Sequence, residues 1–300
     1  MVLALRITLF AFLFFAQTAF LFSQDDDEVI SVNSSLVVLN ATISDGAGKH
    51  VSGLAQKHFK IFEDGTEQEI SVFTTEETPF AAVLLIDTSG SMEERVSMAR
   101  AAAIRFLDGL RANDTAAIYR FDSKVHLVQP FSNSRDVSEQ IFDLKADGMT
   151  TLNDAIFQAA EELGKRPEKR RAIIVLSDGQ DTMSRRSADK ALKAALAANA
   201  LIYTVDMSAI NTTASQTSTN QGVLKNFAEK TGGVFVSTPG GAAMRAAFAN
   251  IVGELGVQYT LGYQPANIRK DGKWRAIELR VARPNLTIRS RKGYHAEKIK

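Results

Sequence analysis

Cysteine is absent from the 300 residues, which excludes disulfides, thiol catalysis and a lipid-modified N-terminal cysteine. It does not fix the compartment, because exported chains also do without the residue. Charge of either sign is scarcely in excess: 35 Lys and Arg face 34 Asp and Glu, a formal net charge of +1. No long-range field steers nucleic acid or an anionic surface towards such a chain. Histidine is limited to His50, His58, His126 and His295. These are scattered without zinc-ligand spacing and read as surface or turn residues. There is no phosphate-binding Gly-x-x-x-x-Gly-Lys and no Gly-x-Ser-x-Gly nucleophile elbow. Trp274, the single tryptophan, is expected in a β-sheet core. After residue 22 no apolar run reaches membrane-spanning length.

The first 23 residues read as an export signal. Arg6 precedes an apolar run from Ile7 to Phe22, and Ser23 is followed by the acidic Asp25–Glu28. Cleavage after Ser23 is the reading adopted, with Ala19 as a second candidate cleavage position. An uncleaved anchor is the alternative, and only then would the chain be membrane-bound.

At the centre, residues 81–86 form an unbroken apolar run that ends in Asp87, followed by Ser89 and Ser91. Such a run reads as a strand buried on both faces, as in the middle of a parallel sheet covered by helices. Its carboxyl end is where open α/β sheets place ligands. One carboxylate and two hydroxyls form a hard-oxygen set suited to Mg²⁺ or a similar cation, although Asp-x-Ser-x-Ser alone also occurs in ordinary turns. Downstream, residues 148–155 open a helix around Thr150. Residues 172–178 then repeat the pattern of a buried strand ending in a carboxylate, Asp178. Three loops are thereby expected at one sheet edge.

With these motifs in this order, residues 79–256 resemble the von Willebrand factor type A family, whose metal-ion-dependent adhesion site joins Asp-x-Ser-x-Ser to a later Thr and a later Asp. The resemblance implies that Asp87, Ser89, Ser91 and Thr150 are metal ligands and that Asp178 acts through water. Met149 stands where a second glycine is common in the family, and Thr151 is a second candidate for the hydroxyl, with Thr150 preferred. Segments 32–33, 36–43, 53–54, 58–65 and 261–265 are similar to those flanking the domain in exported bacterial "VWFA-related" proteins, as are 273–275 and 291–294.

The surrounding pattern predicts the architecture. Residues 36–43, 59–63 and 70–73 read as short strands separated by Gly and Asp turns, as do 257–263, 274–281 and 286–288. About fifty residues make a marginal core alone. The N-terminal segment 24–78 and the C-terminal segment 257–300 are therefore expected to pack together as one small antiparallel β unit. Between them, helices are predicted at 93–110, 136–146, 152–164, 188–198, 223–230 and 242–255. Strands are predicted at 115–121, 125–128, 172–177, 201–205 and 234–236. The alternation gives an α/β domain with a doubly wound, mostly parallel sheet, inserted in the β unit. The small polar stretch 208–222 reads as a loop overhanging the metal edge, and Arg166, Lys169, Arg170 and Arg171 as a solvated helix end.

The expected function is an exported, non-enzymatic binding or adhesion protein, periplasmic, secreted or on the cell surface. A divalent cation, Mg²⁺ with Mn²⁺ or Ca²⁺ as alternatives, would bridge to an Asp or Glu carboxylate of a protein or peptide partner. No nucleic acid and no small-molecule cofactor are implied. The alternatives are an envelope structural or assembly factor binding through its β unit and, more remotely, a metal-dependent hydrolase.

Overall fold

The structure is a computed structural model that describes residues 36–75, 78–136, 138–208, 214–237 and 241–298, without the side chains of 214–218. The expected export signal and the acidic run lie outside the described residues. The strands are β1 (Val37–Ser44), β2 (Phe59–Glu63), β3 (Thr66–Gln68), β4 (Ile70–Thr74), β5 (Phe80–Asp87), β6 (Thr115–Phe121), β7 (Val125–Ser132) and β8 (Arg170–Ser177). They continue with β9 (Ala200–Asp206), β10 (Phe235–Ser237), β11 (Tyr259–Tyr263), β12 (Trp274–Val281), β13 (Thr287–Ser290) and β14 (Gly293–His295). The helices are α1 (Val96–Asp108), α2 (Leu152–Gly164), α3 (Ala188–Ala197), α4 (Ala214–Thr231) and α5 (Gly241–Gly256).

The central sheet has the order β10-β9-β8-β5-β6-β7, parallel except for the edge strand β7. Every residue of β5 is buried. Its alternate side chains serve two cores: Ala82, Leu84 and Ile86 pack with α1 and α5, whereas Ala81, Val83 and Leu85 pack with α2, α3 and α4. A strand covered on both sides has no use for a polar face, which explains the continuous apolar run.

Two antiparallel sheets, β13-β1-β11-β4 and β14-β12-β2-β3, complete the fold. Each combines strands from both ends of the chain: β1 pairs with β11 and β13, and β12 pairs with β2. Their facing side chains share one apolar cluster that includes Leu39, Phe59, Ile61, Tyr259, Leu261 and Ile277. The α/β domain leaves the sandwich after β4 and rejoins it at β11, and these two strands are hydrogen-bonded neighbours.

Four expectations are corrected. Residues 136–146 form only a short 3₁₀ turn at Glu139–Ile141. The Arg100 guanidinium takes up the Ile141 and Leu144 carbonyls in place of helical N–H donors. Within the stretch 208–222, residues 214–222 are helical, because α4 begins at Ala214. Leu224, Phe227 and Ala228 bury the apolar face of its later turns. Extending an anchored helix is cheaper than nucleating one, so a polar leading segment follows.

Trp274 is 40% exposed, packed against His295 and over Gly293. The alternation of β12 instead turns its neighbour Arg275 inward. Arg170 is not solvated but wholly buried. It sits at the seam with the sandwich and donates to the Thr75, Thr78 and Gln258 carbonyls and to Thr260 Oγ1. A second polar node on the seam is Glu254 of α5, which accepts from Thr42 Oγ1 at 3.0 Å, from the Tyr203 hydroxyl at 2.7 Å and from Arg289. No described helix is long and apolar enough to cross a membrane.

Candidate metal centre

The carboxyl ends of β5 and β8 and the loop before α2 meet at one edge of the central sheet. The β5 loop is tied to the α2 loop by Gly90 N donating to the Gly148 carbonyl at 3.1 Å and Asp147 N donating to the Thr88 carbonyl at 2.9 Å. The α2 loop is tied to the β8 loop through the Thr150 carbonyl, which accepts from Thr182 N and Met183 N at 3.0 and 2.9 Å. Thr182 Oγ1 in turn accepts from Thr150 N at 2.9 Å. The position of Thr150 is therefore fixed by backbone bonds that leave its side chain out of the framework.

Asp87 is the innermost group and is fully buried. Its Oδ1 accepts from Ser89 N at 2.9 Å and from Ser89 Oγ at 2.6 Å, and its Oδ2 accepts from Ser177 Oγ at 2.6 Å. Ser91 Oγ lies 3.2 Å from Ser89 Oγ on the exposed side. Burial pushes the Asp87 carboxyl up to about 6, against the hydrogen bonds from Ser177 and Ser89, and the charge of Asp178 adds to the rise. Asp178 is also buried, and its Oδ1 accepts from Gln180 N at 3.0 Å. Neither carboxylate forms an ion pair with a described Lys or Arg.

The two candidate threonines differ. Thr151 Oγ1 donates to the Asp122 carbonyl at 2.8 Å and is thereby committed to the fold. The Thr150 hydroxyl makes no hydrogen bond to a described residue and is the one left for a ligand. Gly148 adopts φ +79°, and a Cβ there would stand 2.7 Å from Ser123 Oγ. Glycine is required at this position, which fixes the approach of the Thr150 loop.

Sequence reasoning missed two residues. Ser177 stands in the motif beside Asp178, yet its role is to hold Asp87, and an apolar strand interrupted by one serine was the available signal. Asp206 ends β9 as Asp87 ends β5. Its Oδ1 accepts from Ser208 N at 2.9 Å and Ser208 Oγ at 2.6 Å, and its Oδ2 accepts from Gln221 of α4 at 2.8 Å. The leading part of α4 thus stands beside the β8 loop, where a Cβ on Gly179 would lie 2.6 Å from the Asn220 carbonyl.

As a donor set, two carboxylates and three hydroxyls suit a hard divalent cation. A buried carboxylate without a cationic partner is the electrostatic complement of one. No group of three or more Asp, Glu or His side chains able to hold a metal occurs among the described residues. Hydroxyls and water would therefore supply most of the coordination.

A doubly wound α/β domain with an oxygen-lined site at the carboxyl edge of its sheet, set into a two-sheet β unit, is the class defined by these observations. Residues 82–180 match the family described as the von Willebrand factor type A domain. No curated protein matches the sequence. A solved von Willebrand factor type A structure from Catenulispora acidiphila is 15% identical over 87% of this chain and 75% of its own, with a TM-score of 0.50, a likeness of fold. The vWF domain of the type V pili tip protein Mfa5 from Porphyromonas gingivalis is 15% identical over 59% of this chain and 94% of its own, with a TM-score of 0.49. The PilB minor pilin from Streptococcus sanguinis is 15% identical over 60% of this chain, with a TM-score of 0.47, and the match spans only 61% of that pilin.

Proposed function

We propose that this is an exported, non-catalytic binding protein in which Asp87, Ser89, Ser91, Thr150 and, through water, Asp178 hold a divalent cation, Mg²⁺ in preference to Mn²⁺ or Ca²⁺. The cation supplies an open coordination position for an Asp or Glu carboxylate of a protein or peptide partner. The observation that carries this reading is the wholly buried Asp87 carboxylate, ringed by serine hydroxyls and without a cationic partner. Only one of the direct ligands is anionic, so the site retains positive charge and favours an acidic group. Ser89 donates to Asp87, not to a histidine, which supports binding over nucleophilic catalysis.

The test is thermal unfolding of residues 24–300 in EDTA, Mg²⁺, Ca²⁺ and Mn²⁺, beside Asp87→Ala. A bound metal at about a hundredfold excess over its dissociation constant adds about 2.7 kcal/mol to stability. A gain in the wild-type chain that Asp87→Ala abolishes supports the reading. Absence of any gain up to millimolar metal overturns it and turns attention to contact through the β unit.

A further inference from the structure

We propose a second ligand site in this chain, a basic cleft at the opposite edge of the central sheet from Asp87 that binds a small polyanion carrying at least two phosphate or carboxylate groups.

The cleft has a volume of about 480 Å³. One wall is formed by the starts of β8 and β9 with the end of α3, and the other by the loop between β11 and β12 together with β14. Because β8 runs eight residues from one sheet edge to the other, the cleft lies about 25 Å from the candidate metal centre. The two are separate sites.

Its charge is out of proportion to the chain. Lys169, Arg171, Lys193, Arg269, Lys270 and Arg291 line it, against the single carboxylate of Glu297, in a protein whose formal net charge is only +1. Lys193 pairs with Asp189 at 2.8 Å and Lys270 with Glu297 at 2.7 Å. Lys169, Arg171, Arg269 and Arg291 form no ion pair with a described carboxylate. Arg171 and Arg291 have structural duties at the end of α3, donating to the Ala198 and Leu196 carbonyls, and Arg291 also reaches the Val38 carbonyl. Carbonyls carry partial charge only, so these bonds leave the Arg291 guanidinium without a compensating carboxylate and Arg171 with only the unbonded charge of Glu168 nearby.

Arg291 is the most telling member. It is 7% exposed, and its Nε has no acceptor among the described residues. Burial pulls its guanidinium down to about 10, so it remains charged at neutral pH. A buried cation with an unmet donor beside a cavity of like charge calls for an anion. The volume fits a small molecule and is too small for a folded partner. Lys169 and Arg171 belong to one wall and Arg269 and Lys270 to the other, so a ligand engaging both needs more than one anionic group.

The test uses residues 24–300 stripped of divalent metal by passage over an immobilised chelating resin, so that no soluble polycarboxylate competes for the cleft, at near-physiological salt. The probes are inorganic pyrophosphate and citrate, read by thermal shift and calorimetric titration, beside Lys169→Glu/Arg269→Glu. Both substituted side chains are exposed, and Arg269→Gln replaces the pair should the double variant fail to fold. The expected result is saturable, submillimolar binding of at least one probe, weakened about tenfold or more by the substitutions. Pyrophosphate alone binding assigns the phosphate class, and citrate alone the polycarboxylate class. Absence of saturable binding by either probe, binding undiminished in the variant, or an equal shift with sodium chloride of matched ionic strength would overturn the proposal.

Discussion

Asp87→Asn in the metal-free protein offers the sharpest test of how the candidate centre is built. Burial raises the Asp87 carboxyl from the ordinary 3.8 to about 6. The folded state therefore holds this proton more tightly than the unfolded chain does. The group's contribution to stability is fully present below about pH 4 and is lost as the pH rises through about 6. The gap between those two values corresponds to about 3 kcal/mol. Asparagine keeps an acceptor for Ser89 N and lets the Ser89 and Ser177 hydroxyls rotate, but carries no charge to desolvate. The assay is urea unfolding of both proteins in EDTA from about pH 4 to about pH 8, with the difference between them as readout, so that all shared titrations cancel. The variant should gain about 3 kcal/mol on the wild-type chain across this range and become the more stable protein at neutral pH. Saturating Mg²⁺ should reverse the order, because only the carboxylate gains from the cation. A difference that stays flat with pH would show that Asp87 is not held at the cost inferred from its burial, and the electrostatic case for a cation at this position would fall with it.

Other outcomes follow from the same contacts. Arg170→Met should lower stability by about 3–5 kcal/mol in urea unfolding, since it takes the Arg170 donor from the Thr75 and Gln258 carbonyls and from Thr260 Oγ1 at the seam, and a loss below about 1 kcal/mol would contradict that role. Thr150→Val should leave metal-free stability unchanged and weaken Mg²⁺ stabilisation. Thr151→Val should do the reverse, losing about 1 kcal/mol with the bond to Asp122 while the Mg²⁺ increment persists; thermal melts with and without metal separate the two. A fragment of residues 24–78 should show no cooperative transition, because β1 and β4 find their sheet partners in β11 and β13, which it lacks.

The parts of the fold legible in the sequence are those where burial dictates residue type. The β5 run, the Asp-x-Ser-x-Ser loop and the strand at 274–281 each report one environment directly, and each stands where its pattern placed it. The parts that were not legible depend on distant partners. Nothing local in residues 136–146 reveals that Arg100 of α1, 41 residues before Ile141, satisfies the Ile141 and Leu144 carbonyls. A tract of Ser, Thr, Asn and Gln has no period to read, and α4 extends into it from an apolar segment farther along. Arg170 is the one fully buried member of a run of basic residues, and only the seam formed by strands from both chain ends distinguishes it. At the candidate centre the residue types and the preference for Thr150 were legible, whereas the contact that sets Thr151 apart, its hydroxyl donating to the Asp122 carbonyl, was not.

The neighbouring placement of β4 and β11 also governs how the chain bears tension. Thr74 is the register partner of Thr260, so the whole α/β insertion departs and returns across a gap of about 5 Å. A pull applied between residue 36 and residue 298 is transmitted through the ladders joining β1 to β11 and β13 and joining β2 to β12. The α/β insertion hangs beside this load path, not within it. A partner gripping the carboxyl edge of its sheet while the chain ends are fixed would instead draw on β4 and β11 together. The sandwich would take that force as peeling at one point, and the insertion would act as a lever on the strands that hold it.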